Sequence, residues 1–162
     1  MITLSTDRLI LRPQTFEDFE RYAQLMASSR ATGMGGPFEQ RAAWALFCQD
    51  AAQWQFFGHG ALMIDDQQTR RCLGQVGINH GPLFPEKELG WFIYDGYEGN
   101  GYATEAAHAL KHWAVETLRL GSLVSYVTPA NTRSAAVAER IGGVLDSRAD
   151  RPDAQDLVYR YQ

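Results

Sequence analysis

A glycine-rich stretch is the part of this sequence whose residue types and spacing best suit the binding of a phosphate. It comprises residues 97–104, in which Gly99 and Gly101 flank Asn100 just before an apolar pattern with helical spacing. Glycines allow a close approach to the backbone and left-handed conformations, and the start of a helix carries free N–H groups and a partial positive charge. The stretch therefore predicts a phosphate or diphosphate site, although a plain turn that caps a helix has the same pattern.

Two familiar nucleotide-binding motifs do not fit this stretch. A P-loop needs Lys followed by Ser or Thr after its last glycine, where this sequence has Tyr102 and Ala103. A dinucleotide fingerprint needs a third glycine where Thr104 stands and an acidic residue about twenty positions later. Residues 119–128 contain no acidic residue. The pattern therefore argues against nicotinamide chemistry, and we expect no binding of NAD.

The elements that must position this turn follow from the periodicity of the rest of the chain. Thr15, three residues before Asp18, predicts the start of a first helix, and the strongest helical stripe follows the glycine turn over residues 103–117. Further helices are predicted around residues 44–51 and after Asn131. Six segments have the composition of strands, namely residues 9–12, 58–65, 72–79, 88–94, 123–127 and 157–161.

The connections between these elements predict the fold class. Short turns favour antiparallel pairing of the first strands, whereas the helix between residues 94 and 123 is a crossover that makes its two flanking strands parallel. We therefore expect an α/β (α+β mixed) domain with a mixed, mostly antiparallel central sheet, one parallel βαβ crossover and about four flanking helices. In the second helix, one face is predicted to carry Trp44, Phe47, Cys48 and Ala51.

Composition narrows the class of protein further. The chain has 162 residues, of which 45% are hydrophobic, and no linker or repeat, so residues 1–162 are expected to form one domain. The formal charge of −4, without a basic cluster, argues against a nucleic-acid partner. No apolar run is long enough to cross a membrane. The start of the sequence does not resemble a secretory signal, and Cys48 and Cys72 lack metal spacing, so we expect reduced thiols and a cytoplasmic location.

Several motifs of this sequence resemble those of the GNAT superfamily of N-acetyltransferases. The segment Glu88-Leu89-Gly90-Trp91-Phe92-Ile93 followed by residues 98–106 is similar to the acetyl-CoA motif of that superfamily. Residues 6–12 resemble the opening of its Rim-type branch, which acetylates ribosomal proteins, and residues 131–142 resemble the next helix of that branch. The resemblance spans nearly the whole chain in the expected order.

The resemblance implies acetyl-CoA as co-substrate and a definite set of binding residues. Backbone amides of Gly99, Asn100, Gly101, Tyr102 and Ala103, with the Thr104 hydroxyl, would hold the diphosphate of coenzyme A. The sheet would splay beyond the strand at residues 88–94, where the backbone of Trp91, Phe92 and Ile93 would pair with the pantetheine arm and Asn131 would reach the same region. Two departures stand out: Glu98 where the family usually has Gln or Arg, and Ala138 where many relatives have a tyrosine acid.

The chemistry implied is attack of a neutral amine on the acetyl thioester. Because a lysine amine has a pKa near 10.4 and an α-amino group a pKa near 8, a general base is useful, and Glu88 is the candidate. Ser134 is the candidate for protonating or hydrogen-bonding the leaving thiolate, and a backbone N–H near Ile93 would hold the oxyanion. A solvated carboxylate at Glu88 and a packing or helix-start role for Ser134 remain equally open.

Two functions from different classes fit these observations. The first is transfer of an acetyl group from acetyl-CoA to a primary amine, either a protein N-terminus or a small-molecule amine. The alternative is a non-catalytic module that senses acyl-CoA. His108 and His112 lie opposite the apolar helical stripe, so we assign no metal. The acceptor would enter between residues 28–38, 82–85 and 148–155, and the sequence leaves open a monomer or a homodimer.

Overall fold

The computed structural model describes residues 1–161 and shows one mixed α/β domain. Its strands are β1 (Leu4–Ser5), β2 (Leu9–Arg12), β3 (Ala61–Asp66), β4 (Cys72–Asn79), β5 (Glu88–Ile93), β6 (Leu123–Val127), β7 (Val144–Leu145) and β8 (Leu157–Tyr161). Its helices are α1 (Phe19–Met26), α2 (Gln40–Phe57), α3 (Tyr102–Glu116) and α4 (Thr132–Arg140), with 3-10 helices at Phe16–Asp18 and Ser29–Met34. The predicted fold class is confirmed.

One sheet of eight strands runs through the molecule in the order β1-β2-β3-β4-β5-β6-β8-β7. Every neighbouring pair is antiparallel except β5 and β6, which are parallel because α3 carries the chain across one face of the sheet between them. The short strands β1 and β7, each of two residues, were not predicted, because two residues are too few to show an alternating pattern.

Helices cover both faces of this sheet, and the sheet separates two apolar clusters. On one face, Ala106, Ala107 and Leu110 of α3 pack with Leu89 and Ile93 of β5. On the other face, α1 and α2 pack a second cluster that includes Tyr22, Phe47, Met63 and Tyr94. The odd-numbered residues of β5 therefore face α3, and its even-numbered residues face α1 and α2.

The predicted start of the first helix is confirmed by a carboxylate that accepts two kinds of donor. The Asp18 side chain accepts a hydrogen bond from the Thr15 N–H at 2.8 Å, as in a capping box. Arg12 at the end of β2 donates to both oxygens of Asp18 and, through Nε, to Asp65 of β3 at 2.6 Å. These bonds join the start of α1 to the sheet.

The second helix differs from its prediction in both length and orientation. It extends to Phe57, and Gly58 ends it in a left-handed conformation with a φ of 72°, so the strand starts at Ala61 instead of residue 58. Its buried face carries Ala43, Phe47 and Trp54, whereas Trp44 is 43% exposed. Phe47 lies inward as predicted, but the prediction was wrong for Trp44 and Cys48, which are exposed, because the aromatic residues of α2 point in several directions.

The approach of β4 to β5 depends on Gly74, and this dependence can be tested. A Cβ at Gly74 would lie 2.1 Å from the carbonyl oxygen of Phe92, so we expect Gly74→Ala to lower the free energy of unfolding by about 1–3 kcal/mol. Gly33→Ala is the matched control, because a Cβ there meets no atom within 4 Å. Urea unfolding measures both, and equal stability of the two variants would contradict the predicted overlap.

Candidate active site

The glycine turn lies where the sequence placed it, between β5 and α3. Gly99 and Gly101 have φ values of 78° and 80°, in the left-handed region that residues with a side chain rarely adopt. Gly101 is the N-cap of α3 and therefore provides no side chain to cap the helix. The local sequence thus produces a helix start whose main-chain donors are uncovered.

Six consecutive N–H groups of this turn have no hydrogen-bond partner within residues 1–161. They belong to residues 99–104, and the first amide that bonds back into the turn is that of Glu105, to the carbonyl of Gly101 at 3.1 Å. An ordinary α-helix leaves four such donors at its start. Together with the positive end of the helix dipole, these amides form a site suited to an anion with several oxygen atoms.

The carbonyl side of the turn is held by Arg8 and Asn100. Arg8 donates to the carbonyl oxygen of Asn100 at 3.0 Å and to the Glu105 carboxylate at 2.7 Å, and its guanidinium lies 4.8 Å from the centre of the Tyr102 ring. The Asn100 amide donates to the carbonyls of Tyr97 and Glu98. Because these contacts engage the carbonyls, they fix the turn while leaving its N–H groups free.

An open cavity of about 750 Å³ adjoins the turn. Gly99, Gly101 and Thr104 line it on the side of α3, and Arg140 and Ile141 line it on the side of α4. Its position beside the uncovered amides provides space for a ligand that is larger than a phosphate.

The Glu98 carboxylate is paired on both of its oxygens. One carboxylate oxygen accepts the N–H of Gly96 at 2.8 Å, and the other lies 3.3 Å from the guanidinium of Arg30. The carboxylate that departs from the family pattern is thus engaged by a neighbouring amide and a cation.

Beyond the first residue of β5, its pairing with β6 stops. Among the described residues, Glu88 and Val124 are the one pair in register between these strands. The bond from the Tyr94 N–H to Leu73, together with the register of β4 and β5, shows that the main chain of Phe92 bonds to β4. The main chains of Trp91 and Ile93 consequently face the gap between β5 and β6.

A side chain closes the narrow end of this gap. The Ser125 hydroxyl of β6 donates to the carbonyl of Leu89 at 2.5 Å and lies 2.8 Å from the Tyr161 hydroxyl. Burial raises the pKa of Tyr161, so this phenol stays neutral. Ser125 therefore replaces the next main-chain bond of the parallel ladder, and the strands diverge from this point. The sequence showed no sign of this contact.

Glu88 lies at the narrow end of the gap, on the face of the sheet that carries α1 and α2. Its carboxylate accepts a hydrogen bond from the Asn79 amide at 3.1 Å. Burial raises its pKa, and the nearby carboxylate of Asp156 raises it further, against the effect of Asn79. A carboxylate with a raised pKa is a stronger base than an exposed one, which suits proton abstraction from an ammonium group.

Ser134 and Asn131 lie together at the start of α4. The Asn131 side-chain oxygen accepts the N–H of Ser134 at 3.1 Å, so this oxygen caps the helix. The Ser134 hydroxyl is half-buried on the face of Val137 and Ala138 and has no hydrogen-bond partner among the described residues. The Asn131 amide nitrogen and the Ser134 hydroxyl remain available to a ligand.

A buried carboxyl that sequence reasoning missed lies on the same face of the sheet as Glu88. Asp50 of α2 accepts hydrogen bonds from the Tyr22 hydroxyl at 3.3 Å and the Gln75 amide at 3.2 Å. Burial raises its pKa to about 7, and the charge of Glu88 contributes to this rise. The signal available in the sequence was an acidic residue on the stripe of Phe47 and Trp54.

Comparison with known proteins identifies the family. The Acetyltransferase (GNAT) domain family matches residues 8–144, and the chain therefore belongs to the GNAT acetyltransferases. The crystal structure of the acetyltransferase from Agrobacterium tumefaciens str. C58 is 62% identical, with a TM-score of 0.97 over 100% of this chain and 95% of that one.

Two more distant relatives add context. The uncharacterized protein YkkB of Bacillus subtilis (strain 168) is 32% identical over 53% of this chain, a match that spans about half (51%) of that relative's length. RimL, a ribosomal L7/L12 α-N-protein acetyltransferase in complex with coenzyme A, is 19% identical over 96% of this chain and 94% of that one, with a TM-score of 0.75. At this identity the likeness to RimL shows the shared fold alone.

No helix within residues 1–161 combines the length and the apolar character needed to cross a membrane.

His108 and His112 are exposed on α3, on the face turned away from the sheet, as the helical stripe predicted.

The buried carboxyl of Asp50 has a consequence for stability that depends on pH. Because its folded pKa, about 7, exceeds the ordinary value of 3.8, the folded protein holds a proton that the unfolded chain releases between these pH values. Stability contributed by this group is therefore lost as pH rises from about 4 to 7. We expect Asp50→Asn to raise Tm over that of the original protein by about 5 °C at pH 8 and by less at pH 5.

Thermal melts at the two pH values measure this difference. Asp150→Asn, at an exposed aspartate without a hydrogen-bond partner among the described residues, is the control and should change Tm little at either pH. A Tm difference for Asp50→Asn that is the same at pH 5 and pH 8 would contradict a raised pKa at Asp50.

Proposed function

We propose that this protein transfers an acetyl group from acetyl-CoA to a primary amine. The observation that carries the proposal is the run of six N–H groups at residues 99–104 that have no partner within residues 1–161; this run lies at the end of the gap between β5 and β6. A linear ligand with a diphosphate at one end and amides along its arm fits both features. Coenzyme A has this chemistry, and membership in the GNAT family supports the choice.

The binding residues divide according to the groups that they can offer. Main-chain amides of Gly99, Asn100, Gly101, Tyr102 and Ala103, with the Thr104 amide and hydroxyl, bind the diphosphate. Trp91 pairs through its main chain with the pantetheine arm, and Ile93 offers its N–H to the thioester end of the arm, because Arg30 already donates to its carbonyl. Phe92 contributes its side chain only, because its main chain bonds to β4. The Asn131 amide nitrogen binds the same arm, since its oxygen already caps α4.

Acetyl-CoA supplies an acetyl group activated as a thioester, and the residues of this chain manage protons around it. Glu88 accepts a proton from the acceptor ammonium, directly or through a water, from the face of the sheet that carries α1 and α2. Asn79 orients its carboxylate. The Ile93 N–H lies on the gap side of β5 and stabilises the developing oxyanion. The Ser134 hydroxyl, which lacks a partner among the described residues, donates to the departing thiolate.

The class of acceptor amine is proposed from the family resemblance. A protein N-terminus is the first candidate, in keeping with the Rim-type resemblance, and a small-molecule amine is the second. We propose a cytoplasmic setting, in which acetyl-CoA is available.

The proposal is tested by binding and turnover measured separately. We expect calorimetry to show binding of coenzyme A to the intact protein. We also expect thiol release from acetyl-CoA to require an amine, in a panel of peptides with varied N-terminal residues and of small amines. Absence of coenzyme A binding by the folded protein would overturn the proposal, and tight binding without turnover on any amine would favour the acyl-CoA sensor.

The role of Glu88 makes a kinetic prediction. We expect Glu88→Gln to lower kcat by about 10²–10⁴ at neutral pH, with little change in the KM for acetyl-CoA, because the side chain keeps its shape but loses its basicity. Since the pKa of Glu88 is raised, activity of the original protein should fall on the acid side above the ordinary glutamate range, and this limb should be absent from the variant.

Steady-state kinetics across pH distinguishes this role from a structural one. Glu116→Gln, at an exposed carboxylate of α3, is the control and should leave kcat unchanged. Ser134→Ala should lower kcat by less than Glu88→Gln, because a thiolate with a pKa near 8.5 leaves without full protonation. Unchanged turnover in both Glu88→Gln and Ser134→Ala would show that the assigned proton carriers are wrong.

A further inference from the structure

Arg30 reaches the mouth of the gap between β5 and β6 from an element outside the glycine motif. It lies in the 3-10 helix Ser29–Met34, which follows α1, and its guanidinium donates to the carbonyl oxygen of Ile93 at 2.7 Å. This carbonyl faces the gap, since it belongs to the set of β5 groups that point away from β4. Arg30 is therefore beside the path proposed for the pantetheine arm.

The same guanidinium contacts two carboxylates of the segment between β5 and α3. It forms an ion pair with Asp95, and it lies 3.3 Å from the Glu98 carboxylate. Asp95 is 82% exposed, so solvent screens its charge, whereas Glu98 is 29% exposed. The charge of Arg30 consequently matters most for Glu98.

The position of Arg30 is held by its own backbone. The Ser28 hydroxyl oxygen accepts the Arg30 N–H at 3.2 Å and itself donates to the carbonyl of Leu25 at the end of α1. From this anchored turn the guanidinium donates hydrogen bonds to the Ile93 carbonyl and the Asp95 carboxylate, and it forms an ion pair with Glu98. Such a multiple contact matches the fork of donors that arginine offers and lysine lacks.

Without this cation, the site would have a charge conflict. Glu98 immediately precedes the six amides of residues 99–104, which lack a partner in the described part of the chain and are proposed to hold a diphosphate. Like charges at short range repel each other. No other arginine or lysine among the described residues pairs with Glu98 within 4.0 Å.

We propose that Arg30 is a specificity-determining residue of the cofactor site, whose charge makes Glu98 compatible with a diphosphate-bearing ligand. The glycine motif has Glu98 where the resemblance implies Gln or Arg, and the cation beside this position comes from the connection between α1 and α2. This inference rests on the proposed function, and it adds a residue that no sequence motif marks.

The test is a double-mutant cycle read by calorimetry with two probes, coenzyme A and pantetheine, which lacks the diphosphate. We expect Arg30→Gln to weaken coenzyme A binding by about tenfold, and Glu98→Gln to change it by less than about threefold. The double variant should bind coenzyme A within about threefold of the original protein. Pantetheine binding should be the same in all four proteins.

Two further variants separate charge from structure. Arg30→Lys should keep coenzyme A affinity close to that of the original protein, since the charge remains although the fork of donors is lost. Arg41→Gln, which removes an exposed charge at the start of α2, should have no effect. Circular dichroism checks that each variant is folded. If Arg30→Gln does not fold, Arg30→Lys tests the proposal in its place.

The outcomes are distinct. Two outcomes would show that Arg30 acts only through the structure: a double variant that binds coenzyme A as weakly as Arg30→Gln, or a loss of pantetheine binding equal to that of coenzyme A. Either outcome would overturn the inference and leave the proposed function in place. Failure of the original protein to bind coenzyme A would overturn both.

Discussion

The interrupted pairing of β5 with β6 is the constraint on which the rest of the site depends. A parallel ladder would satisfy the main chains of Trp91 and Ile93, and an inserted ligand would then find no donors or acceptors there. The Ser125 hydroxyl takes the bond to Leu89 that would continue the ladder, so the strands separate while the buried polar groups at the branch point stay satisfied. The gap is therefore a stable feature of the folded chain.

Two arginines from distant parts of the sequence adapt the glycine turn to this gap. Arg8 engages a carbonyl of the turn and the start of α3, which leaves the amides uncovered. Arg30 engages Ile93 and Glu98 from the opposite side. The turn consequently keeps its amides uncovered while the carboxylate in its own sequence is paired with a cation.

The two faces of the sheet have separate roles. The α3 face is apolar and provides the support from which the helix presents its amides. The other face holds Glu88 and Asp50, two carboxyl groups whose pKa values are raised by burial. The charge of Asp156 adds to the rise at Glu88, and the charge of Glu88 adds to the rise at Asp50. Raised carboxyl pKa values cost stability at neutral pH, and groups of this kind cluster at functional sites.

The sequence by itself determined the order of the longer elements, the mixed sheet with its one parallel pair, and the glycine turn at the start of α3, because these follow from local periodicity and backbone preference. It also placed Glu88 on the correct face, since alternation along a strand is a local property. Only the tertiary structure decided that Asp50 and not Trp44 lies inward, and that Phe92 bonds to β4. The contacts of Arg8 and Arg30 were equally hidden, because they join residues 97 and 65 positions apart, and such pairs depend on strand register and packing that no local pattern encodes.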